Sequence, residues 1–86
     1  MSPELETLDQ LLGGELSLAI VRKLFPDDER FLRGIRSLLF CGDVSLLSAD
    51  GSNLTNWREL LTAPVTPIQL NGLKLRITDQ GIRTIS

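Results

Sequence analysis

Three arginines recur at three-residue intervals near the middle of the chain, at Arg30, Arg33 and Arg36. On a helix this interval places all three guanidinium groups on one side. A guanidinium group forms paired hydrogen bonds with phosphate and with the edge of guanine, so the stripe suits contact with duplex DNA. The stripe equally suits a solvated helix surface, because Asp27 and Glu29 are spaced to pair with Arg30 and Arg33. Both interpretations stay open.

A second basic pair, Lys74 and Arg76, alternates with apolar residues in the segment Leu73–Ile77. Alternation of this kind is typical of a strand that buries one side, which leaves both cations on the outer side. Cations on the outer side of a hairpin are suited to the phosphate backbone of DNA. The sequence therefore predicts Lys74 and Arg76 as further DNA contacts, provided that they share a surface with the arginines.

Trp57, the single tryptophan, is followed directly by Arg58. Both residue types are enriched at the energetic centres of protein–protein interfaces. An exposed Trp57 beside Arg58 would mark a protein-binding patch. A buried Trp57 would instead anchor the segment 53–62 to the core.

Enzymatic chemistry finds little support among the side chains. The chain contains no histidine, which removes Ser–His and Cys–His nucleophiles and histidine-containing metal sites. Capping of a helix start accounts for the acids at 27–29, and the oxygen-rich run 50–53 lacks the closing glutamate of a calcium loop. Cys41 has no cationic neighbour to activate it, so we expect an inert, partly buried thiol. We expect a binding protein, not an enzyme, without catalytic residues, metal or cofactor.

Length and charge bound the remaining possibilities. Eighty-six residues support one core, so residues 1–86 are predicted to form a single domain. Residues 1–29 contain seven acids and two bases, a net charge of −5, whereas residues 30–86 contain four acids and seven bases, a net charge of +3. The acidic balance of the whole chain favours a protein partner, and the basic later part favours DNA.

The cysteine content and the apolar runs of the chain predict its cellular compartment. Its one cysteine cannot form an internal disulfide, and nothing therefore indicates an oxidising compartment. The acidic N-terminus is unlike a secretory signal, and no apolar run is long enough to cross a bilayer. We expect a cytoplasmic protein without a membrane partner.

Residues 1–42 are predicted to form three helices. The first begins at Ser2-Pro3 and ends at Gly13-Gly14, since serine caps a helix, proline suits its first turn and glycine closes it. The second covers residues 15–25 and is expected to be the most buried. The third begins after Asp27 or Asp28 and ends at Gly42. The predicted packing side of the second helix is Leu16, Ala19, Ile20 and Leu24; that of the third is Phe31, Leu32, Ile35, Leu38 and Leu39.

Beyond Gly42 the apolar spacing changes from helical to alternating. Residues 44–48 are predicted as a strand followed by a turn at 49–52, and 53–62 as a short helix capped by Asn53 or Thr55. Asn71-Gly72 predicts a type I′ turn between strands at 68–70 and 73–77. The tail after Thr78 fits either a helical turn or a third strand.

Two stretches resemble a known superfamily. The run from Leu73 to Ile82, in which an alternating strand leads into Thr78, two polar residues and Gly81, is similar to the closing strand of many bacterial winged-helix domains. The run from Leu38 to Val44 resembles the end of their third helix. The resemblance implies an α+β winged-helix-like domain with three N-terminal helices followed by an antiparallel β-hairpin region. The long insertion between Val44 and Leu73 departs from this pattern and leaves open which hairpin is the wing.

The resemblance also implies a function. The third helix would be a recognition helix that binds double-stranded DNA through Arg30, Arg33 and Arg36, with Lys74 and Arg76 as wing contacts, in a transcription-regulatory role. The alternative is a protein-interaction or dimerisation module of the same fold, which binds its partner through Trp57 and Arg58. That partner is either another protein or a second copy of this chain.

Overall fold

The computed structural model describes residues 2–61 and 72–85. Within these residues the chain is α+β, with five helices and a three-stranded antiparallel sheet. The helices are α1 (Pro3–Leu11), α2 (Leu18–Arg22), α3 (Asp28–Cys41), α4 (Trp57–Leu60) and α5 (Asp79–Ile85). The strands are β1 (Leu16–Ser17), β2 (Val44–Ser48) and β3 (Leu73–Ile77).

The first helix, α1, has the predicted start. Ser2 is the N-cap, its hydroxyl accepts a hydrogen bond from the Leu5 amide at 3.2 Å, and Pro3 occupies the first turn. The inner side of α1 buries Leu8 and Leu11, so this helix packs through its C-terminal half.

The second predicted helix is shorter than expected. Leu16 and Ser17 form β1, and α2 starts only at Leu18, with the Ser17 hydroxyl accepting from the Ile20 amide at 3.4 Å. The prediction was wrong here because Leu16 and Ser17 pair with Leu75 and Lys74 of β3, a partner that local spacing cannot show.

The packing side of α2 also differs from the prediction. Leu18 and Val21 are completely buried, whereas Ile20 is 46% exposed. Leu18 and Val21, three residues apart, therefore form the packing side of α2, while Leu16 and Leu24 lie outside this helix and are only partly buried against the core.

The third helix confirms its prediction at both ends. The Asp27 carboxylate accepts from the Arg30 amide at 2.8 Å, and Gly42 closes the helix with φ 80°. The buried side of α3 contains all five residues predicted for it: Phe31, Leu32, Ile35, Leu38 and Leu39. The arginine stripe consequently lies on the outward side.

The sheet has the order β1-β3-β2. The strand predicted at Leu73–Ile77 is confirmed as β3, the central strand, which pairs with β1 and β2. The predicted strand 68–70 and Asn71 lie outside the described residues. The predicted type I′ turn includes Asn71 and therefore also falls outside the described residues.

The core lies between one side of the sheet and the first three helices. Val44, Leu46 and Leu75 belong to the same buried cluster as the inner sides of α1, α2 and α3. Because Leu46 is opposite Leu75 in the register, the two strands present a continuous apolar surface to the helices. The residues between them, Ser45 and Arg76, lie opposite each other on the other side.

The connection from β2 to β3 contains the short helix α4. Its N-cap is Asn56, not Asn53 or Thr55 as predicted, because Asn53 forms a bridge with Leu47 beside β2. Leu61, directly after α4, is completely buried and joins the main core. This connection is therefore held against the body of the fold at Leu61.

The tail is helical, which settles the two predicted alternatives. Thr78 caps α5: its hydroxyl accepts from the Gly81 amide at 3.1 Å and donates to the Gly42 carbonyl. The Thr78 amide donates to the Asp43 carbonyl at 3.0 Å, and the Thr84 hydroxyl donates to the Asp43 carboxylate at 2.9 Å. The two residues that follow α3 are thus bonded to the N-cap and to the C-terminal end of α5.

Candidate functional site

The outward side of α3 carries the three predicted arginines, all exposed. Two of them pair with acids of the first turn: Arg33 Nη2 lies 3.0 Å from Glu29 Oε1, and Arg30 Nε lies 3.9 Å from Asp27 Oδ2. Exposed pairs of this kind contribute only about 0.2–1 kcal/mol. A phosphate group can therefore replace either acid at little cost.

Arg36 differs from its two neighbours. Within the described part of the chain it forms no ion pair, because no acid lies three or four residues from it on α3. Arg36 is thus the member of the stripe whose charge is least compensated.

Phe40 lies one helical turn beyond Arg36 on the same side of α3 and is 74% exposed. Phe40 is not among the site residues predicted from the sequence. The helical spacing was sufficient to find it, because Phe40 falls between Arg33 and Arg36 when α3 is viewed down its axis. Cys41, the next residue, is also exposed, which corrects the expectation of a partly buried thiol. The outward side of α3 therefore combines cations with one aromatic ring.

A hollow of about 310 Å³ adjoins the N-terminal half of this surface, between α1 and α3. Its lining includes Arg30 and Arg33 of α3 together with Glu4 and Phe25. The Glu4 carboxylate comes within 3.0 Å of the place where a Cβ on Gly34 would stand. The hollow thus combines cations with a carboxylate, and its charge is mixed.

Lys74 and Arg76 lie on the other side of the sheet from the core. Leu75, between them, is completely buried against the helices, so both cations face away from the layer that contains α3. Arg76 lines a separate hollow of about 320 Å³ together with Ser45 and Asn53. The structure brings Lys74 and Arg76 together but does not place them on one surface with the arginines of α3.

The alternative site, Trp57 and Arg58, forms one unit. The Arg58 guanidinium carbon lies 4.5 Å from the centre of the Trp57 ring, which is the geometry of a cation–π contact. Trp57 is half-buried and packs against the core, while Arg58 is exposed. The pair combines the two roles that the sequence left open, since Trp57 anchors α4 and still presents part of its ring.

The oxygen-rich run after β2 is a turn with its own internal bonds. Hydrogen bonds from the Ser48 hydroxyl and then the Ser52 amide lower the pKa of Asp50 to about 2. The carboxylate is therefore already used within the turn. No three histidine, cysteine, aspartate or glutamate side chains come together among residues 2–61 and 72–85.

In the part of the chain that the structure describes, no helix has the length and apolar character needed to cross a membrane. No family model, no curated protein and no solved structure matched this chain in the three comparisons made with known proteins.

Proposed function

We propose that the chain is a winged-helix domain that binds duplex DNA through the outward side of α3. Three helices precede an antiparallel pair of strands, β2 and β3, and α3 leads directly into that pair. This is the order of elements that the winged-helix resemblance implies, and it supports α3 as the recognition helix. The pair β2–β3 would then be the wing.

The observation that carries the proposal is the exposure of Arg30, Arg33 and Arg36 together on the longest described helix. With 14 residues, α3 is about 21 Å long. The major groove accepts a helix of this kind, and arginine supplies both phosphate contacts and guanine recognition there. Since Lys74 and Arg76 face away from α3, the proposal rests on the α3 arginines alone.

Salt dependence tests this proposal. Each phosphate contact releases condensed counterions, so replacing Arg33 or Arg36 by alanine is expected to reduce the slope of log affinity against log salt by about 0.9. The measurement is fluorescence anisotropy of a mixed-sequence duplex, titrated at several salt concentrations. Arg83→Ala, an exposed arginine on α5, is the matched control and is expected to leave the slope unchanged.

The same titration decides the role of the outer side of the sheet. If the wing contacts the phosphate backbone of the DNA, Arg76→Ala should reduce the slope of log affinity against log salt; if it does not, the slope should stay unchanged. Absence of duplex binding by the parent chain at low ionic strength would remove the DNA proposal altogether, since even nonspecific electrostatic association should appear there.

Self-association through Trp57 and Arg58 is the second candidate function, because the exposed Arg58 already forms a cation–π contact with the half-buried Trp57 ring. If this unit lies in a dimer interface, the molar mass from light scattering should double as concentration rises. Arg58→Ala should then weaken the dimer roughly tenfold, the usual effect of removing an interface hot spot. Arg83→Ala again serves as the control, and a constant monomer mass across the series would count against this candidate.

A further inference from the structure

Phe40 is the most exposed large apolar side chain among the described residues, at 74%, compared with 41–52% for the other four. It lies in the last turn of α3, one turn beyond Arg36, at a Cβ separation of about 5–6 Å for that spacing. Its ring is therefore held beside the cation of the stripe that has no acidic partner within the described residues.

The surroundings of Phe40 limit what can cover it. Its neighbours on the outward side of α3 are Arg33, Arg36 and Ser37, all exposed and all polar. Protein interfaces bury an apolar centre made of several side chains, whereas here one ring stands alone among cations. Such a surface matches a polar, anionic partner that carries isolated apolar groups.

The major groove of DNA is such a partner. Its floor presents hydrogen-bond donors and acceptors, and its apolar group is the C5 methyl of thymine, which phenylalanine contacts directly. We propose that Phe40 reads a thymine methyl group and thereby determines sequence specificity, while Arg36 beside it binds the adjacent phosphate or guanine. This inference rests on the proposed DNA-binding function and extends it to one base.

The experiment starts from the parent chain and a randomised duplex library. The most enriched duplex is resynthesised with each thymine replaced in turn by deoxyuridine, which removes only the methyl group. At one or two positions this replacement should weaken binding by the parent about three- to five-fold, the value of one buried methyl. Phe40→Ala should bind the thymine duplex and the deoxyuridine duplex with equal affinity, and the slope of its log affinity against log salt should equal that of the parent. Phe40→Leu should keep part of the parent's preference for the thymine duplex.

The possible outcomes separate the inference from the proposed function. If the parent binds duplexes but every deoxyuridine is neutral, or Phe40→Ala keeps the discrimination, the inference is wrong and the arginine contacts stand. Loss of self-association in Phe40→Ala, with DNA binding intact, would assign Phe40 to a protein interface and also overturn it. If the parent binds no duplex at low salt, the proposed function itself fails. Because Phe40 is exposed, both variants are expected to unfold at the parent's denaturant midpoint, which verifies that they are folded.

Discussion

Replacing Gly81 by alanine is expected to lower the free energy of unfolding by about 3 kcal/mol, at the upper end of the usual cost of overpacking. A Cβ on Gly81 would stand 2.1 Å from the Asp43 carbonyl oxygen and 2.8 Å from Cγ1 of Ile77. The first of these neighbours is backbone and cannot rotate away. Within a helix, alanine is otherwise favoured over glycine by about 1 kcal/mol, so the clash must exceed that gain.

Asp43 has little freedom to move aside. Its side chain is nearly buried, its amide donates to the Leu38 carbonyl at 3.0 Å, and its carbonyl accepts from the Thr78 amide at 3.0 Å. Urea denaturation followed by circular dichroism measures the effect. Gly13→Ala is the matched control, because its Cβ would meet only the Gln10 carbonyl oxygen at an ordinary 3.5 Å. An unchanged midpoint for Gly81→Ala would show that α5 is not packed as described.

Replacing Leu38 by alanine is expected to lower the free energy of unfolding by about 2–5 kcal/mol, the range for deleting a buried leucine side chain. Leu38 is 5% exposed and belongs to the hydrophobic core, on the buried side of α3. A small domain has a total stability of only about 5–15 kcal/mol. This one substitution therefore removes a large part of it.

Leu12→Ala provides the comparison for Leu38→Ala. The same atoms are removed, but Leu12 is 52% exposed, so the change should stay near or below about 0.5 kcal/mol. Both variants are measured by urea denaturation at equilibrium. Equal midpoints for Leu38→Ala and the parent would mean that α3 packs through a different side.

The sequence predicts best where structure depends on neighbours a few residues away. The acid at Asp27, the apolar spacing of α3 and the glycine at Gly42 lie within one helix, and all three were confirmed. The start of α2 was predicted wrongly because Leu16 pairs with Leu75, a residue far along the chain. Pairing over that distance depends on the assembled sheet, which no local pattern contains.

The candidate site divides in the same way. Helical spacing predicted that Arg30, Arg33 and Arg36 are exposed, and the structure confirms this. The same spacing also places Phe40 on the exposed side of α3. Whether Lys74 and Arg76 share a surface with them depends on which side of the sheet the helices cover. The covered side of the sheet depends on the packing of all the elements, so the sequence alone could not predict it.

The position of β3 in the sheet has a consequence for synthesis. β3 lies between β1 and β2 in space but follows both of them in the chain. While the protein emerges from the ribosome, α1, α2 and α3 can form from local contacts, yet β1 and β2 have no common neighbour until Leu73–Ile77 is available. The backbone groups of β2 that pair with β3 consequently have no strand partner until that point, and an unpaired strand edge of this kind is prone to aggregation in a nascent chain.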